Sequence, residues 1–77
     1  MNHPDHLIRL LKLAPKISTR DGFVKEYFDR LPNHRTCADS YWAVEDDHIS
    51  IFGRTRYNGH DTFKVVLSKW NKARRGL

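Results

Sequence analysis

Residues 48–70 read HISIFGRTRYNGHDTFKVVLSKW, and the fold turns on how this stretch is taken. Asn58-Gly59 is a strong hairpin dipeptide flanked by β-forming residues, so residues 48–57 and 60–67 can pair as strands. Against that, Phe63, Val66, Leu67, Trp70 and Ala73 keep a helical period of about 3.6 residues over more positions than a strand of about six residues needs. The helical reading is preferred. In it Asn58 caps a helix with Asp61 at the third position, and Lys64, Ser68, Asn71, Lys72 and Arg75 face outward. The alternative is an α+β chain with a C-terminal hairpin turning at Asn58-Gly59.

Upstream, a segment from about Thr36 to Phe52 places Cys37, Tyr41, Val44, His48, Ile51 and Phe52 on one face and Asp39, Asp46 and Ser50 on the other. Gly53 is positioned as its left-handed terminator. Before it, Ser18 and Asp21 have capping-box spacing, Phe23, Tyr27 and Leu31 form a stripe with Val24 and Phe28 beside it, and Pro32 stops the turn. Gly22 costs that helix about 1 kcal/mol relative to Ala. In the first segment Leu7, Leu10, Leu11 and Ala14 recur at helical spacing, with Asn2 or His3 as cap and Pro4 in the first turn, and Pro15 ends it. The expected fold is all-α, a bundle of four short helices in one domain spanning residues 1–77. The last two helices pair antiparallel around Tyr41, Val44, Phe52, Phe63, Val66, Leu67 and Trp70. The first two cover that pair with Leu7, Leu10, Leu11, Phe23, Tyr27 and Leu31.

A chain of 77 residues buries a modest fraction of its surface, which argues against a deep substrate cavity. Its nine aromatic residues, two Trp, three Tyr and four Phe, are enough for one core. The single cysteine, Cys37, forms no internal disulfide and no cysteine-bearing zinc finger. No basic segment followed by an apolar run opens the sequence, and nothing reaches the length of a membrane span, so a cytoplasmic protein without membrane contact is expected.

Charge is segregated along the chain. Residues 37–53 hold four acids, Asp39, Glu45, Asp46 and Asp47, and no Lys or Arg; residues 54–77 hold seven basic residues against Asp61 alone. Such polarity suits a polyanionic partner, DNA or RNA. The candidate contacts are Arg54, Arg56, Lys64, Lys69, Lys72, Arg74 and Arg75, each of which would release counterions on neutralising a phosphate. Tyr57 and Trp70 lie among them and would stack on unpaired bases if exposed, although Trp70 sits on the apolar stripe and reads as core. In a helix-turn-helix the fourth helix would present His60, Thr62 and Lys64 to base edges, but the connection is longer than that motif uses. The alternative is a protein-interaction or regulatory module that offers Glu45, Asp46 and Asp47 to a basic partner. An acidic face and a basic face on one chain also permit head-to-tail homo-oligomers.

The stretches Tyr41-Trp42-Ala43-Val44-Glu45-Asp46-Asp47-His48, Phe52-Gly53-Arg54-Thr55-Arg56-Tyr57 and His60-Asp61-Thr62-Phe63-Lys64 resemble short uncharacterised proteins of bacterial mobile elements and phages. The resemblance covers residues 36–70. It implies helices and an accessory role, and no catalytic residues.

Glu45 and His48 have the spacing with which one helix serves a di-metal centre, but no second Glu-x-x-His is present, so no metal or other cofactor is expected. Cys37 sits among acids that oppose a thiolate and reads as a small residue of the buried face. Gly-x-Ser-x-Gly and phosphate-loop motifs are missing from the sequence, and a non-enzymatic protein is expected.

Overall fold

The computed structural model describes residues 4–75, with side chains from Asp5 to Arg74. Four helices follow one another: α1 (Pro4–Ile17), α2 (Arg20–Arg30), α3 (Cys37–Phe52) and α4 (His60–Arg75), with a 3-10 turn at Leu31–Asn33 between α2 and α3. The expected all-α bundle is therefore present, and no strand occurs among the described residues. The proposed caps Asn2 and His3 lie outside them.

The helix boundaries have local chemical causes. Thr36 caps α3 by accepting from the Asp39 N–H at 3.0 Å, and Gly53 ends it with φ 80°, a left-handed conformation that costs a glycine nothing. The α2 cap is Thr19 rather than Ser18: its hydroxyl accepts from Gly22 N at 3.1 Å, while Ser18 donates instead to the Pro15 carbonyl. Pro15 does not end α1, which runs to Ile17. A proline that close to the end removes a single backbone donor, and the Ser18 N–H still closes onto the Ala14 carbonyl at 3.1 Å.

The core is aromatic. Phe63 of α4 inserts among Phe23 and Tyr27 of α2 and Tyr41 of α3, with ring centroids 5.4, 4.9 and 4.9 Å away. Tyr57, from the connection before α4, meets Phe23 edge-on at 5.3 Å. Leu13, Ile17, Val24, Val44 and Trp70 complete the buried set, with Leu31, Ile51, Val66 and Leu67 packed against it. Each large side chain contributes about 1.5–3 kcal/mol by leaving water.

Three expectations about the core are corrected. In α1 the buried positions are Leu13 and Ile17, whereas Leu7 and Leu11 are exposed, the latter by 74 %; the helix turns the other edge of its apolar surface inward. Cys37 and Phe52, at the two ends of α3, are exposed, whereas Tyr41, Val44 and His48 between them are buried. The antiparallel pairing of α3 with α4 is also replaced. The chain runs back along α3 after Gly53, so α4 begins beside Tyr41, which meets His60 at 5.6 Å and Phe63 at 4.9 Å. From there α4 reaches α2, where Trp70 Nε1 donates to Asp21 Oδ1 at 2.7 Å.

Candidate nucleic-acid interface

Glu45 decides the course of the chain between α3 and α4. It is fully buried, and its carboxylate accepts from the Tyr41 hydroxyl at 2.5 Å, the Arg56 N–H at 2.8 Å and the Tyr57 N–H at 3.0 Å. Consecutive N–H groups point to opposite sides of a strand, whereas these two converge on one carboxylate, so residues 56 and 57 are not laid out for the ladder of a hairpin at Asn58-Gly59. Helix α4 starts at once, with Gly59 O accepting the Phe63 N–H at 3.1 Å; the hairpin alternative and the Asn58 cap both give way. Burial, then the Glu45 carboxylate, raise the Tyr41 phenol well above its ordinary pKa, so Tyr41 keeps the proton it donates.

The acidic surface expected on α3 is largely internal. Asp47 accepts from Arg9 through both oxygens, at 3.1 and 3.3 Å, and from Arg30 Nη2 at 2.7 Å. Arg30 in turn binds Glu26 at 2.9 Å and the Ala43 carbonyl at 3.0 Å, so one guanidinium joins α2 to α3. Burial pushes the Asp47 carboxyl up, but the hydrogen bonds from Arg9 and Arg30 outweigh it and hold it below the usual carboxylate range. Of Glu45, Asp46 and Asp47, only Asp46 is exposed. A basic partner would therefore not meet a three-carboxylate face.

The basic residues are separated into places with different duties. Lys64, Ser68 and Lys72 recur at i, i+4 and i+8 on α4 and are all exposed, with Lys69 exposed beside them. Lys69 and Lys72 have no ion-pair partner among the described residues, and Lys64 has only Asp61 at 3.8 Å. Arg54 is exposed at the end of α3, next to a shallow cleft shared with Ser18, His48, Phe52 and Arg56. Arg56 is structural: Nη1 donates to the Ser18 carbonyl at 2.8 Å and Nε to the Tyr57 hydroxyl at 3.2 Å. Arg74 lies over the Trp70 ring at 4.6 Å. The Arg75 side chain lies outside the described residues.

The rings named as stacking surfaces are not presented. Tyr57 packs on Phe23 and Phe63, and Trp70 is 5 % exposed. His60 is packed on Tyr41, which removes it from a base-reading set and leaves Thr62 and Lys64 exposed. Phe28, beside the core stripe of the second helix, is by contrast 40 % accessible and lies 5.8 Å from Trp70.

Glu45 and His48 do not converge as ligands. His48 Nδ1 lies 2.5 Å from the Arg54 carbonyl, an obligate acceptor, so that nitrogen carries the proton. Among the described residues no three His, Cys, Asp or Glu side chains gather as a cation site, and no helix is long and apolar enough to cross a membrane. No protein-family model, curated protein or solved structure matches this chain.

Proposed function

We propose that this chain is a small non-enzymatic accessory protein that binds DNA or RNA through the phosphate backbone, with the outer face of α4 as the principal contact and Arg54 as an outlying one. The observation that supports this reading is the disposition of charge. Asp47 is neutralised by two arginines and Glu45 is withdrawn from solvent, whereas Lys64, Lys69 and Lys72 project from one helix. The outward charge around α4 is consequently positive. Lys64 and Lys72 stand about 12 Å apart along the helix axis at about 1.5 Å per residue, a distance that spans three or four phosphates at about 3.4 Å of rise each.

Phosphate contacts position a protein without reading sequence, which fits a helix whose first turn packs His60 inward. An accessory role agrees with the resemblance to proteins of mobile elements. A pull-down with and without nuclease tests the reading: nucleic acid is retained by the wild-type chain and lost when Lys64, Lys69 and Lys72 are together replaced by Gln. Retention unchanged by that triple replacement would contradict it.

A protein-interaction role has its own supporting observation, and it is apolar rather than acidic. Trp42 and Ile49, seven residues apart on α3, are each 42 % exposed, and Leu7, Ile8 and Leu11 are exposed on α1. On this second reading, replacing Trp42 and Ile49 by Ser abolishes capture of a protein that nuclease treatment does not release.

A further inference from the structure

We infer that the cleft between α2 and α4, lined by Asp21, Lys25, Phe28, Asp29, Trp70 and Arg74, takes one unpaired, amino-bearing nucleobase of a single-stranded nucleic acid. The inference rests on the nucleic-acid reading above and adds to it a strand preference, a base preference and a site away from the outer face of α4.

The cleft has a volume of about 660 Å³, within the range of about 300–1,000 Å³ common to small-molecule sites. Its floor is rigid: the Trp70 indole is pinned by the hydrogen bond from Nε1 to Asp21 and packs against Phe28 with the ring planes 36° apart. Phe28 is 40 % exposed at the cleft, and bases stack on aromatic rings irrespective of their identity. Arg74 is itself a planar group already lying over Trp70. A guanidinium in that position can flank a stacked base and meet its phosphate. Lys25, exposed one turn before Asp29 on α2, supplies a second cation at the rim.

Asp29 gives the site its selectivity. Its carboxylate is exposed and has no hydrogen-bond or ion-pair partner among the described residues. An ionised carboxylate only accepts. It can accept from the exocyclic amino group of cytosine, adenine or guanine, whereas thymine or uracil offers it only the N3–H, flanked by two carbonyl oxygens that repel a carboxylate. A base held in a duplex is stacked on both sides and cannot enter.

Fluorescence anisotropy with short labelled oligocytidine, oligothymidine and a mixed-sequence duplex tests the inference. Wild-type protein is expected to bind the cytosine strand more tightly than the thymine strand. Phe28→Ala should weaken cytosine-strand binding about tenfold while leaving the duplex within about twofold. Because Phe28 also packs on Trp70 and Tyr27, Asp29→Asn, an exposed and sterically matched change, gives the independent arm: it should abolish the preference for cytosine over thymine. Equal loss of single-strand and duplex binding in Phe28→Ala, or a base preference unmoved by Asp29→Asn, overturns the cleft and leaves phosphate binding by α4 standing. Wild-type protein that binds none of the three ligands overturns both. An arginine-rich peptide that binds with dependence on Asp29, where the oligonucleotides do not, reassigns the cleft to a protein partner and overturns the inference.

Discussion

Glu45 carries the largest local consequence of any single side chain. Removing its fully buried carboxylate takes the acceptor from the Arg56 and Tyr57 N–H groups and the Tyr41 hydroxyl at once. Glu45→Ala should therefore cost about 3–5 kcal/mol, measured by urea unfolding followed through tryptophan emission. Glu45→Gln, which keeps one acceptor oxygen but turns a donor toward a donor, should fall between the two; a Glu45→Ala midpoint equal to wild type would contradict the role. Gly22 is a second such position. A Cβ there would lie 1.5 Å from the Lys16 carbonyl oxygen, so α1 and α2 can meet only because the side chain is missing. Gly22→Ala should destabilise by about 3 kcal/mol or more, although helix propensity alone favours alanine; a stabilised variant would show that the two backbones separate freely. Neither role was legible in the sequence. Glu45 reads as the first of three acids offered to a basic partner, and Gly22 as a weak point of a helix, because both roles depend on chain segments brought near by the fold.

At the scale of elements, the helices and their stops were legible where capping chemistry is unambiguous. Gly53 at the end of α3 is such a case, and the unbroken stripe through Phe63, Val66 and Trp70 marks α4 as plainly. The phase of α1 was not, because Leu7, Leu10, Leu11 and Ala14 satisfy the helical period as well as Leu10, Leu13, Ala14 and Ile17 do. Periodicity selects a face only when a single face is apolar. The packing of α1 on α3 and α2 on α3 is reinforced by Arg9, Arg30 and Asp47. Asp47→Asn should lower stability at neutral pH by about 2 kcal/mol, the loss of charge-assisted hydrogen bonds around a partly buried guanidinium. The pH dependence has a definite sign. A carboxyl depressed by folding stabilises above its unfolded pKa, about 3.9, and that contribution disappears as pH falls through the lower folded value. Thermal unfolding of the wild type should thus fall off below about pH 4, and Asp47→Asn should show a shallower decline over that range. Parallel acid profiles for the two proteins would indicate that the pair is not formed in solution.

At the scale of the whole molecule, the asymmetry of charge along the sequence becomes an asymmetry between inside and outside. The bundle measures 44 × 25 × 23 Å. Two of the three consecutive acids are taken up in its internal contacts while the lysines of α4 remain at the surface. The basic C-terminal third was legible from composition; the withdrawal of Glu45 and Asp47 was not, since a carboxylate looks alike in sequence whether it faces water or a buried donor. The same asymmetry would set the solution behaviour of the proposed phosphate-binding surface. The measurement that tests it most directly is the salt dependence of binding to a mixed-sequence duplex. Four contacts, Lys64, Lys69, Lys72 and Arg54, predict a slope of log affinity on log salt of about −3 to −4. Each replacement by Gln should reduce the steepness by about one unit, equally across sequences, while Asp46→Asn leaves affinity unchanged or raises it. Absence of binding at low salt, or a slope that survives loss of all four cations, would contradict nucleic-acid binding through α4.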